Sequence, residues 1–133
     1  MHAQLFLMMA ILMSSCSTTS TPAELPRIAL TSEGGISGRG VGAISIELGR
    51  ITASDIRRQC TGKLADAERD AIAKLPVLPA ASKESSGGHP DQIRYTLTVG
   101  DRTMSWNGED APSDASPWVH TLNEIRKRVL SEC

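Results

Sequence analysis

The sequence predicts an α+β fold, a small antiparallel sheet of about four strands with two helices packed on one face. Three patterns carry that prediction. Apolar and polar residues alternate within 27–31, 41–48 and 93–99, which is the period of a half-buried strand. Apolar residues recur at spacings of three and four within 64–75 and 118–129, which is the period of a helix with one buried stripe. Clusters of Gly, Pro and Ser punctuate the stretches between them.

The first strand is Arg27 to Thr31, with Ile28 and Leu30 on one face. It runs into GGISGRGVG, where five glycines lie between Gly34 and Gly42. So dense a run tolerates positive φ and close backbone approach, but it cannot itself sustain a strand. The second strand is Val41 to Leu48, in which Ile44, Ile46 and Leu48 alternate with Ser45 and Glu47. Ile51 to Leu64 leaves two readings open. Asp55 to Gln59 suits a helix while Thr52, Thr61 and Gly62 do not, so an irregular connection and a strand extension fit equally.

From Leu64 onward Ala67, Ala71, Ile72 and Leu75 form a helical stripe that Pro76 terminates. Pro79 to Pro90 is a polar loop. The clearest strand follows, with Ile93, Tyr95, Leu97 and Val99 on one face, and Gly100-Asp101 turns it into a hairpin with Arg102 to Trp106. After the polar stretch 107–115, Ser116 is expected as the N-cap of the second helix and Pro117 as its first residue. Trp118, Leu122, Ile125 and Val129 form its stripe, and Lys127 and Arg128 complement the dipole near its end.

The chain has 133 residues, 40% hydrophobic and only 3% aromatic, with 14 basic against 15 acidic side chains. The near-neutral charge argues against a nucleic-acid binder, which draws most of its affinity from phosphate neutralisation. Residues 1–15 stand apart from the folded domain. Leu5 to Met13 is an unbroken apolar run of nine residues, below the roughly 20 that span a bilayer, and it has the character of the apolar part of an export signal. Ser14-Ser15-Cys16 follows, two small residues and a Cys, which resembles the lipobox of bacterial lipoproteins. That resemblance makes Cys16 the acylated first residue of the mature chain and a lipid anchor in the membrane. Ser17, where an Asp would typically hold a lipoprotein at the inner membrane, favours outer-membrane anchoring in a host with two membranes.

Residues 16–25 then read as the lipidated Cys and a tether, since Ser17 to Pro22 contains no apolar residue to bury, and 26–133 as the domain. With Cys16 acylated, Cys60 and Cys133 are the remaining thiols, in a compartment where disulfides persist, and pairing is favoured over two free thiols.

Catalysis is not expected. His89 and His120 have no metal-ligand spacing, and GRGVG precedes a strand and lacks the Lys-Ser/Thr pair of a phosphate loop. No cofactor and no metal are therefore anticipated.

The strand RIALTSEGGISG, running into its Gly-Gly-x-x-Gly loop, with Asp91, IRYTLTV and the closing amphipathic helix, resembles the emfourins over about residues 26–130. Emfourins are proteinaceous inhibitors of protealysin and other thermolysin-like zinc peptidases. The lipobox, the Cys60 and Cys133 pair, and Ile36 where the family pattern has an aromatic residue are departures from it.

The emfourin resemblance implies a thermolysin-like metallopeptidase as partner, and with the lipobox it gives an envelope-anchored monomer. The inhibitory loop would comprise Gly34, Gly35, Ile36, Gly38 and Arg39. Such a peptidase favours a bulky apolar side chain just after the scissile bond. Ile36 can supply that anchor while Gly34 and Gly35 allow close approach and Arg39 makes a peripheral charge contact. Equally, Ile36 can fold back to plug the end of the sheet. Two other functions remain open, a structural or adhesion lipoprotein that inhibits nothing and an inhibitor of another envelope-attacking enzyme such as lysozyme.

Overall fold

In a computed structural model of the chain, residues 25–35, 40–80, 92–108 and 110–133 are described. The elements are β1 (Ile28–Gly34), β2 (Ala43–Glu47), β3 (Arg50–Ser54), β4 (Gln59–Lys63), α1 (Asp66–Ala73), β5 (Ile93–Val99), β6 (Arg102–Asn107) and α2 (Ser116–Ser131). The fold is α+β, as the sequence predicts. The antiparallel sheet, however, has six strands in the order β4-β3-β2-β1-β5-β6, where about four are expected.

The additional strands come from 50–63, the stretch with two open readings. It forms β3 and β4, joined by a turn at Asp55 whose Oδ1 accepts hydrogen bonds from the N–H groups of Arg57 and Arg58 (2.7 and 2.9 Å). An Asp carboxylate satisfying the N–H groups two and three residues on forms a tight turn, and the Asp55 N–H donates to the Arg58 carbonyl (3.0 Å), so 55–58 closes a hairpin between Ser54 and Gln59.

Register explains the core. Cys60, Ala53, Ile44, Leu30, Leu97 and Met104 are successive cross-strand partners, one from each strand, and all are buried. The neighbouring row brings Ile51, Ile46, Ile28 and Val99 to the same face. α2 covers these rows with Trp118, Leu122, Ile125 and Val129, the stripe read from its periodicity. Gly62 lies under this helix, where a Cβ would stand 3.3 Å from Val129 Cγ2, so the missing side chain admits the helix. The opposite face of the sheet carries Thr52, Thr61, Thr96, Thr98 and Thr103 and has no helix of the described residues upon it. Leu122 is fully buried, and its truncation to Ala would cost about 2–5 kcal/mol.

Three local expectations are corrected. β2 ends at Glu47, and Leu48 does not continue its apolar face. Leu48 and Gly49 are a two-residue hairpin loop with φ +52° and +76°, and this turn chemistry swings the leucine into solvent. β1 extends to Gly34, because β5 pairs with it over its whole length. The cap of α2 is Ala115, already in helical conformation and accepting the first helical bond from Val119 N–H, so Ser116 and Pro117 are the first two helical residues. A turn at 112–115, with the N–H groups of Ala115 and Ser116 both donating to the Pro112 carbonyl, feeds the chain directly into the helix.

Cys60 on β4 and Cys133 beyond α2 have Cα atoms 6.1 Å apart, within disulfide range, with their sulfurs at bonding distance. The pair ties the end of α2 to an edge strand.

Candidate functional site

The glycine-rich segment leaves β1 and returns to β2 at one end of the sheet. Its base is closed by one side chain. Ser32 Oγ donates to the Gly42 carbonyl (2.7 Å) and accepts from the N–H groups of Val41 (2.9 Å) and Gly42 (3.2 Å), which uses the donor and both lone pairs of the hydroxyl. Gly40 N–H donates to the Gly34 carbonyl (3.0 Å), closing the base a second time.

Glycine is required where these strands of backbone converge. At Gly40 (φ +66°) a Cβ would stand 2.5 Å from the Ser32 carbonyl carbon, and at Gly42 (φ +129°) it would stand 2.3 Å from both Arg126 Nη1 and the Ser54 carbonyl oxygen. Of the expected inhibitory residues, Gly34 ends β1 and Gly35 lies against Ile93, where a Cβ would meet Cγ1 at 3.2 Å. Ile36, Gly38 and Arg39 lie outside the described residues, as do Cys16, His89 and Asp91.

Arg126 of α2 crosses beneath the returning strand. Its Nη1 donates to the carbonyls of Val41 (3.0 Å) and Ser54 (3.3 Å), joining the loop to the end of β3, and its buried Nε has no hydrogen-bond partner among the described residues. Beside it is a pocket of about 180 Å³ lined by Leu30, Val41, Tyr95, Trp106, Asn123 and Arg126. The Tyr95 and Trp106 rings stack with centroids 5.7 Å apart and form part of its wall. That volume lies below the roughly 300 Å³ of ordinary ligand clefts, so the pocket suits a single side chain or a few waters.

The β3–β4 turn reaches the same end of the sheet, since Gly42 packs on Ser54 and Asp55. The N–H bonds of Arg57 and Arg58 hold the Asp55 carboxyl below its ordinary range, and the nearby guanidinium groups of Arg58 and Arg126 add to this. Ile56 is 62% exposed on this turn and Val41 is 42% exposed at the loop base. The assembled groups are a braced backbone loop, two exposed aliphatic side chains and several guanidinium groups, a set suited to contact with another protein. His120 is exposed on α2, and the described residues contain no group of three His, Cys, Asp or Glu that could hold a metal ion.

Sequence reasoning locates the glycine loop but misses Ser32, Arg126 and the Ile56 turn. Two signals were present. Asp55 before Arg57 and Arg58 is a side-chain-to-backbone turn signature, and Val119, Asn123 and Arg126 form a helical stripe flanking the buried one. Nothing in the sequence separates Ser32 from the other serines. No family model, curated protein or solved structure matches the chain.

Proposed function

We propose that the chain is an envelope-anchored lipoprotein that binds and inhibits a thermolysin-like zinc metallopeptidase, with the Gly34 to Gly42 loop entering the active-site cleft. The observation that supports this reading is the Ser32 clamp. A hydroxyl on the β1 side of the loop base, bonded to Val41 and Gly42 on the returning side, with Arg126 and Gly40 bracing it further, fixes the base of the loop before any partner arrives. A loop restricted in advance loses less conformational freedom on binding, which is the property that separates an inhibitory loop from a merely accessible one. Cys16 supplies the membrane anchor, Ile36 is the apolar anchor, and Val41 and Ile56 widen the contact.

The mature chain assayed in parallel against a thermolysin-like peptidase and a lysozyme tests the reading. Inhibition of the peptidase is the expected outcome. Inhibition of lysozyme alone would reassign the target, and inhibition of neither would leave an adhesion role. Ile36→Ala is expected to weaken peptidase inhibition by about 2 kcal/mol, roughly thirtyfold, with the melting temperature unchanged. A collapsed melting temperature with normal inhibition by the folded fraction would place Ile36 in the core and reject it as the anchor.

A further inference from the structure

The two ends of the sheet differ in what they expose. The end opposite the glycine loop carries the Leu48-Gly49 hairpin, the Gly100-Asp101 hairpin, α1 and the segment Leu75 to Leu78. Arg69 of α1 lies over Gly49, the Leu64 N–H donates to the Gly49 carbonyl, and Arg102 donates to the Leu78 carbonyl, so these parts form one surface.

Leu48 is 82% exposed and Val77 is 79% exposed on it, the two most exposed large apolar side chains among the described residues. Single exposed aliphatic residues are ordinary. Leu48 is not ordinary, because it holds a positive φ at a hairpin position that Asn, Asp or Gly would occupy without strain. The chain enters the fold at this same end, where Leu25 and Pro26 line an apolar groove with Val77, Pro76 and Val99.

We propose that this end rests on a phospholipid bilayer, with Leu48 and Val77 seated among the headgroups. The inference rests on the reading of Cys16 as the lipid anchor and adds to it an orientation. From Cys16 to Leu25 is nine residues, so an anchored chain holds this end within about 32 Å of the surface. A short connection of that kind gives an effective concentration in the millimolar range, and a weak surface contact is then sufficient. Arg27, Arg50, Lys63 and Lys74 are exposed at this end, interspersed with exposed Glu47, Asp66, Asp70 and Asp101, and the cations among them can meet anionic headgroups. Docked in this way, the domain presents the Gly34 to Gly42 loop, Val41 and Ile56 away from the membrane, where a peptidase can reach them.

The test uses the mature protein reconstituted in vesicles of phosphatidylethanolamine and phosphatidylglycerol that contain phospholipid brominated on its acyl chains near the glycerol. Trp106 and Trp118 are buried and provide a constant background. The emission added by Leu48→Trp, and independently by Val77→Trp, is expected to fall by about half, as for a side chain seated at the headgroup and acyl boundary. The emission added by Ile56→Trp at the far end is expected to be unchanged.

Equal quenching at both ends, or none at Leu48 and Val77 in vesicle-bound protein, overturns the proposed face while leaving the anchor intact. Mass spectrometry showing an unmodified Cys16 in protein that still floats with vesicles, with Leu48→Trp quenched, keeps the face and removes the anchor. Protein that does not float at all overturns both.

Discussion

Arg128 grips both carboxylate oxygens of Glu68 across sixty residues of chain, with Nε to Oε2 at 2.7 Å and Nη2 to Oε1 at 2.6 Å. The same guanidinium donates to the Lys63 carbonyl at the end of β4 (2.9 Å) and meets Glu132 one turn on (2.9 Å). Glu68 also accepts from Ala65 N–H (2.9 Å), one of the donors left free at the start of α1. Two residues thus join the short helix, the long helix and the edge strand.

This junction makes stability depend on pH in one direction. Burial by itself pushes the Glu68 carboxyl up, but the Arg128 hydrogen bonds and the Ala65 N–H outweigh it and hold the group below its ordinary value. A carboxyl depressed in the folded state contributes its stabilisation fully above the unfolded value, about 4.3, and loses it as pH falls through the folded one. The melting temperature should therefore be flat from neutrality to about pH 5 and fall below it. Asp55, depressed by its turn N–H groups, acts in the same direction. Glu68→Gln should cost about 1–2 kcal/mol at pH 7 and flatten the acid limb without abolishing it. Thermal melts of both proteins from pH 7 to pH 3 check this, and an identical acid limb in the variant would count against the junction.

The parts of the fold that resisted reading are those where an apolar residue was supplied from elsewhere. β4 reads Gln-Cys-Thr-Gly-Lys, with one apolar residue and a glycine at the next inward position. Alternation is weak there because Val129 of α2 fills the space above Gly62. Leu48 misled for the converse reason, since its place in the alternation pointed inward and its place in the turn pointed out. The rows through Ile28, Leu30, Ile44, Ile46 and Leu97 were legible, because each strand there carries its own inward residues. At the candidate site the glycine density was visible, but the hydroxyl that gives the loop its closed base is one serine whose role depends on a partner ten residues away.

The Cys60 and Cys133 pair closes a loop with a sequence separation of 73 residues. In the chain-entropy picture such a crosslink restricts the unfolded chain by about 4 kcal/mol, and native strain reduces the gain. Unreduced protein unfolded in denaturant should show no titratable thiol at either residue, and Cys133→Ser should lower the unfolding midpoint markedly. Inhibition by the variant should persist, because the Ser32 clamp and Arg126 bonds do not involve the crosslink. Two free thiols in the unreduced protein would refute the bridge.

The clamp itself yields the most discriminating prediction. Ser32→Ala removes a donor to the Gly42 carbonyl and an acceptor from two N–H groups, yet leaves the glycines, Arg126 and Ile36 in place. Val41 is exposed enough for water to replace part of what is lost, so the cost in stability should be modest, about 1–2 kcal/mol. The loop, however, should no longer be held at its base. Exchange of the Gly40 amide, which donates to the Gly34 carbonyl within the same closure, should accelerate, and inhibition should weaken by about tenfold through faster dissociation. Gly42→Ala is the harsher comparison. Its Cβ would collide with Arg126 Nη1 and the Ser54 carbonyl, so it should lose both folding stability and inhibition. If Ser32→Ala inhibits like the parent protein while Gly40 exchange does accelerate, the closed base organises the loop but contributes nothing to inhibition. The function would then have to be sought at Val41 and Ile56.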